Sequence, residues 1–350
     1  LPFKYILEKK VIKIIVLNNI MTIKHLVLSG GGPIMIQLLG AIQHLESEKF
    51  IDLKNIESIY GTSAGAIVGT LICLKHEYDW ETINDYIIKR PWKDVFKIKV
   101  EKILESYSKK GIFDIKTIEK CFKPLFAAKD IPMDITLENF YKYSNIELHM
   151  FAFEVNEFKL EDISYLTHPK LELLTAIQMT CCLPVLLAPV CLDNKCFIDG
   201  GLVCNYPLNY CINSGKNQDE ILGFKNKYDE DKKSHINSDS TLLDFLMCFF
   251  FKILYSLNTD SLQPFIKNEF ICKADKMSVE MMKNSLYNMD VRKTLFDNGI
   301  EDANDFLSKI NTDVKVNDDV KSNDDVKVND GVKSNDCVKS NDCVNLEDSI

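Results

Sequence analysis

Ile56-Glu57-Ser58-Ile59-Tyr60-Gly61-Thr62-Ser63-Ala64-Gly65-Ala66-Ile67-Val68-Gly69-Thr70-Leu71-Ile72-Cys73 is the stretch whose reading decides the fold. Its first five residues read as a short strand and the run from Ala66 as a largely buried helix. Between them Ser63 stands on a tight turn, with Gly61 and Gly65 two positions to either side. That is the pattern of a nucleophile elbow, where the backbone turns too sharply for side chains and a Cβ would crowd strand against helix. Ser63 then lies at a helix N-terminus, where free amides favour the negative charge that develops in acyl transfer. Small residues that only pack a helix on a sheet give the same pattern, so the motif alone leaves both readings open.

Upstream, Ile23 to Leu28 reads as a strand running into Ser29-Gly30-Gly31-Gly32, and an apolar helical pattern follows Pro33 from Ile34 to Leu45. Strand, glycine loop, helix, strand, tight turn, helix predicts an α/β fold with a parallel sheet. Successive unhindered amides after a strand form an anion-binding nest. The loop has neither G-x-G-x-x-G nor G-K-[ST], so it is no dinucleotide fingerprint and no P-loop.

Downstream, residues 76–130 turn Lys/Glu-rich with helical periodicity, over Trp80 to Ile88, Val100 to Tyr107 and Ile115 to Phe122. Glu147 to Val155 reads as an internal strand, Asp162 to Tyr165 as a connector, and Leu171 to Thr180 as a helix ending before Pro184. Phe197-Ile198 is a strand end entering the turn Asp199-Gly200-Gly201, and Glu220 to Phe224 is the last expected strand. Residues 225–240 read as a polar surface loop. Leu242 to Leu257 is the most apolar stretch but is interrupted by Asp244 and Lys252, so it does not suit a bilayer span. Its aromatics, Phe249 and Phe250 included, spread around the whole helical axis, which predicts a buried helix over an interfacial one.

The ends differ in character. Residues 1–20 precede Met21 and read as an extension, with neither a signal peptide nor a spanning helix. From Asp313 a six-residue repeat places valines at Val314, Val320, Val326, Val332, Val338 and Val344. One apolar side chain per repeat buries too little to order the chain, so residues 311–350 are expected to be a disordered tail. The intervening domain assignment is 21–230 for the α/β body, with a helical insertion at about 76–130, and 231–310 for a helical C-terminal region packed on or covering it.

With 350 residues, 46% of them hydrophobic, the chain can bury a sizeable core. Net charge −9 without an extended basic patch argues against nucleic acid as a partner. Twelve scattered cysteines fit a reducing compartment better than a disulfide scaffold, and no zinc spacing emerges.

Serine catalysis needs a base and oxyanion donors. Of six histidines only His235 lies late in the chain, inside a polar loop, so an acidic base is the better candidate. Asp199, closing a strand before two glycines, fits that role, although an ordinary Asp-Gly turn reads as well.

In order and context the three motifs resemble those of the patatin-like phospholipases, over about Ile23 to Phe224. The correspondence runs through Gly30-Gly31-Gly32 as oxyanion loop, Gly61-Thr62-Ser63-Ala64-Gly65 as elbow and Asp199-Gly200-Gly201 as source of the aspartate, with Asn205 and Pro207 continuing the last motif. The resemblance implies a three-layer fold with a central, mainly parallel sheet flanked by helices. It also implies a Ser63–Asp199 dyad, with amides of Gly30, Gly31, Gly32 and Ala64 at the oxyanion. Gly61, Gly65, Gly200, Gly201 and Asn205 support the motifs. The implied reaction is hydrolysis of acyl esters of phospholipids or acylglycerols, with transient contact at a membrane surface and no cofactor or metal. Without a signal peptide or transmembrane segment in the sequence, an intracellular location, cytoplasmic or peripheral at membranes, is expected. Pro33 stands where family members commonly carry a basic residue. That departure leaves room for a weakly active or inactive lipid-binding relative, and an acyl transferase or another esterase would share every residue named.

Overall fold

The structure is a computed structural model that describes residues 22–74, 80–228, 236–257 and 260–324. In chain order its strands are β1 (His25–Leu28), β2 (Ser58–Thr62), β3 (Gly111–Phe113), β4 (Glu147–Glu154), β5 (Lys159–Ile163), β6 (Val185–Leu187), β7 (Val190–Leu192), β8 (Lys195–Asp199), β9 (Ile221–Tyr228) and β10 (Glu269–Ala274). The main sheet runs β10-β9-β1-β2-β4-β8-β7, with β5 also paired to β4. The first five strands of that order are parallel, and β5, β8 and β7 join antiparallel. Leu26, Val27 and Leu28 of β1 have no exposed surface, as expected for a strand covered on both faces. Helices flank the sheet, so the fold is α/β with a largely parallel centre. A separate two-stranded ladder pairs β3 with β6.

Register brings the two distant motifs together. On β4, Phe151 is the partner of Thr62 and Ala152 the partner of Asp199. One residue beyond Thr62, Ser63 is therefore level with Asp199 across a single intervening strand. Side chains projecting past the ends of strands about 4.8 Å apart can meet over that strand.

Several features depart from the sequence reading. β9 continues through Lys225, Asn226 and Lys227 to Tyr228, into the expected surface loop, because β10 pairs with Gly223 to Tyr228 and satisfies their backbone. β10 itself was not foreseen. The expected connector at Asp162 contributes to an edge strand, since β5 finds its ladder on β4. Cys191 and Cys196, cross-strand partners in the β7–β8 hairpin, are joined in a disulfide that scattered spacing did not suggest.

The apolar stretch forms helix α1 (Leu242–Leu257), and its burial is one-sided. Met247, Cys248, Phe251 and Leu254 are buried, whereas Phe245 is 51% and Phe249 58% exposed. The expectation that Phe249 lies in the core is thus overturned. Only one side of this helix meets the body, and aromatic content does not choose the side. Met247 and Phe251 pack with Met277, against Leu183, Val185 and Leu186.

The last helix is Met289–Asp324, so regular backbone reaches 14 residues into the stretch expected to be disordered from 311. Extending a nucleated helix fixes one residue per added hydrogen bond, a smaller demand than nucleation. Contacts divide the chain after Ser308, and the unit ending there contains the sheet and everything described below. Residues 1–20 and the repeat beyond Asp324 lie outside the described residues. No helix among the described residues is long and apolar enough to cross a membrane.

Candidate active site

Ser63 sits between β2 and helix α2 (Ala64–Leu74) with φ of 52°, left-handed backbone that costs a non-glycine residue about 1–2 kcal/mol. The neighbouring glycines are sterically required. A Cβ on Gly65 would stand 2.2 Å from the Leu28 carbonyl oxygen, and one on Gly61 would stand 2.7 Å from the Ala66 nitrogen. The turn is held from the side as well. The Ser63 N–H donates to Thr180 Oγ1 (2.9 Å), whose hydroxyl donates to the Phe151 carbonyl (2.6 Å).

The Ser63 hydroxyl donates to Asp199 Oδ2 at 2.5 Å. The other carboxylate oxygen accepts the Gly201 N–H (2.8 Å), which fixes the carboxylate plane. Asp199 is 2% exposed, and burial pushes its pKa up to about 6, against the opposing pull of the Ser63 and Gly201 hydrogen bonds. Gly200 lies against β4, where a Cβ would fall 2.4 Å from the Phe151 carbonyl oxygen. Cys181, next to Thr180 at the end of the helix Leu173–Cys181, contacts Ser63, and burial pushes its thiol pKa well above the usual range, so it stays protonated.

The glycine loop lies against the serine, since a Cβ on Gly30 would be 3.1 Å from that of Ser63. Its three glycines are not equivalent. The Gly30 N–H is committed to the Asn205 carbonyl (3.1 Å), so Gly30 offers no oxyanion donor. Gly31 and Gly32 adopt positive φ (148° and 54°), and their N–H groups, like that of Ala64, meet no acceptor among the described residues. The Gly30 carbonyl is turned into the body, accepting from Asn205 Nδ2 (3.2 Å) and Asn226 Nδ2 (2.5 Å). Asp260 steadies Asn205 by accepting the N–H groups of Asn205 (3.1 Å) and Tyr206 (2.8 Å).

The structure thus brings Ser63, Asp199, Gly31, Gly32, Ala64 and Asn205 to one place at the end of the sheet. Sequence reasoning missed Thr180, Asn226 and Asp260. Thr180 ends a helix predicted correctly but carries no motif, Asn226 was assigned to a loop, and nothing local marks Asp260. The described histidines are engaged elsewhere. His25 bonds Ser58, His44 Asn304, His149 Asp162 and His168 Thr167. His76 and His235 lie outside the described residues.

A cleft of about 1320 Å³ opens beside the site, lined among others by Lys252, Tyr255, Lys276, Met277 and Val279. Neither Ser63, Asp199 nor the glycine loop lines it. Met277 links the two places, since its sulfur would stand 2.8 Å from a Cβ on Gly32.

A serine on a sharp, strained strand-to-helix turn at the carboxyl end of a parallel α/β sheet is a recurrent arrangement of acyl-transferring proteins. The family model for patatin-like phospholipases matches residues 26–212, and the chain belongs to that family. It is 26% identical over 191 residues to the probable lipid hydrolase 463L of Invertebrate iridescent virus 6, covering 54% of this chain and 63% of that protein. It is 24% identical over 192 residues to the uncharacterized protein R571 of Acanthamoeba polyphaga mimivirus, covering 53% and 60%. The chain therefore spans less than two thirds of the length of these relatives. The crystal structure of VipD from Legionella pneumophila shares the fold, with a TM-score of 0.50 at 17% identity, over 83% of this chain and 67% of that one.

Proposed function

We propose that the chain is a serine lipid acyl hydrolase in which Ser63 is the nucleophile and Asp199 its only base. The observation that carries this reading is the 2.5 Å contact from the Ser63 hydroxyl to Asp199 Oδ2, made by a serine held in left-handed backbone. Asp199 takes the hydroxyl proton as Ser63 Oγ attacks the ester carbonyl. The N–H groups of Gly31, Gly32 and Ala64 receive the oxyanion. Collapse of the tetrahedral intermediate expels the alcohol, which takes the proton back from Asp199. Water, deprotonated by the same carboxylate, then attacks the acyl-enzyme and releases the fatty acid and Ser63. An ordinary aspartate is a weak base for a hydroxyl. Burial brings the Asp199 pKa to about 6, closer to neutrality, where proton transfer is more efficient.

Lipid esters are the substrate class favoured by the family and by the apolar wall of Met277, Phe251, Leu183 and Leu186 next to the glycine loop. The test is incubation with mixed phospholipids and acylglycerols, with products identified by mass. Free fatty acid with the matching lysolipid or alcohol is expected from the native chain and not from Ser63→Ala. Acyl groups recovered on an alcohol acceptor would mark a transferase, and equal release by both chains would overturn the proposal.

A further inference from the structure

Helix α3 (Val100–Lys109) is mounted the wrong way round for a surface helix. Its apolar residues Val100, Ile103, Leu104 and Tyr107 recur at helical spacing, which places them within a stripe about 100° wide. Such a stripe ordinarily faces the core. Here it faces solvent: Val100 is 71%, Ile103 52%, Leu104 73% and Tyr107 95% exposed, and no residue of the helix is buried. The opposite side touches the body only at half-buried positions: Lys102 lies over the Phe113 ring (4.7 Å) and Ser106 is half-buried, while the exposed Lys109 pairs with Glu105 (2.7 Å) and Asp114 (3.4 Å).

The helix is held in that attitude at both ends. Phe96 packs edge-on against Phe113 with ring centroids 5.4 Å apart, and Gly111 enters β3, which pairs with β6. β6 follows Cys182, whose carbonyl accepts the Asp199 N–H (2.9 Å). Two short elements therefore separate the exposed stripe from the catalytic carboxylate.

Charge separates a lipid surface from other occupants. Between residues 93 and 110 stand six lysines, Lys93, Lys97, Lys99, Lys102, Lys109 and Lys110, against the acids Asp94, Glu101 and Glu105, in a chain of net charge −9. Lys97, Lys99 and Lys110 are exposed and form no ion pair among the described residues, and Lys99 and Lys110 cap the two ends of the helix that carries the stripe. An apolar strip with lysines at its ends suits the boundary between acyl chains and anionic headgroups.

We infer that α3 docks the protein on anionic phospholipid bilayers, inserting Val100, Ile103, Leu104 and Tyr107 and setting Lys97, Lys99 and Lys110 among the headgroups. This rests on the proposed lipid hydrolysis for its purpose, but binding is measurable without turnover. The full chain carrying Ser63→Ala is sedimented with phosphatidylcholine vesicles containing none or about a third phosphatidylserine. It should bind the anionic vesicles preferentially. Adding Ile103→Ser, Leu104→Ser and Tyr107→Ser should lower partitioning about a hundredfold with an unchanged melting temperature. Substituting glutamine at Lys97, Lys99 and Lys110 should lower binding to anionic vesicles about fivefold per lysine and leave neutral vesicles alone. If the triple serine variant melts early, Tyr107→Asp alone carries the same expectation, its side chain being nearly free. Absent binding by the parent chain, or undiminished binding by the apolar variants, overturns the inference. So does a parent dimer that the serine variant converts to monomer while vesicle binding persists. Loss of binding confined to Phe245→Ser/Phe249→Ser would move the docking face to α1 and also overturn it.

Discussion

The turns after β1 and β2 and the cover formed by α1 meet at the same candidate site but are built by different rules. In the turns, backbone atoms lie so close that single positions have no alternative to glycine, and each requirement is written within five residues of the end of its strand. In the cover, burial depends on which side of a helix meets a partner far away in sequence. Phe249 and Phe251 are chemically identical and two residues apart, yet one is 58% and the other 3% exposed. Local steric demands can be read from a sequence, whereas long-range choices between equivalent faces cannot.

The comparison breaks most readily at Gly65. Gly65→Ala places a Cβ 2.2 Å from the Leu28 carbonyl oxygen, which cannot move without disturbing the β1–β2 ladder. The variant should lose more than about 3 kcal/mol of stability in urea titration and all turnover. A native-like midpoint would mean that the elbow is looser than its geometry implies. Phe251→Ala comes next, with an expected loss of about 3 kcal/mol from the cavity it opens between Met247 and Met277, read from the same titration. Thr180→Val keeps the volume but removes the acceptor of the Ser63 N–H. Turnover of a soluble ester should fall about ten- to a hundredfold, with stability changing less than for Phe251→Ala. Phe249→Ala should be the mildest, within about 0.5 kcal/mol of the parent. A loss as large as that of Phe251→Ala would erase the distinction between the two faces of α1.

The same division explains what was legible in the sequence. β1, β2, the helix ending at Cys181 and the three glycine motifs were readable because periodicity and turn sterics are local. The pairing of Ser63 with Asp199 was suggested by motif order, and its geometry follows from the β2–β4–β8 register, which no local pattern encodes. β10 and the extension of β9 were missed because each strand is stabilised by the other across more than forty residues. The role expected for Gly30 failed for a similar reason. Three glycines look alike in sequence, and only the distant Asn205 carbonyl withdraws one amide from the set.

The most direct test of the account is the rate at which a fluorophosphonate modifies the protein as a function of pH, with the adduct mapped by mass. Asp199 must be ionised to accept the Ser63 proton, and burial raises its pKa, so the rate should be low in acid, rise through about pH 6 and level off above it. The adduct should sit on Ser63 alone. In Asp199→Asn the labelling should fall by about three orders of magnitude or more and lose the inflection near pH 6. Labelling at another serine, or a rate and pH profile that survive Asp199→Asn, would contradict the Ser63–Asp199 dyad.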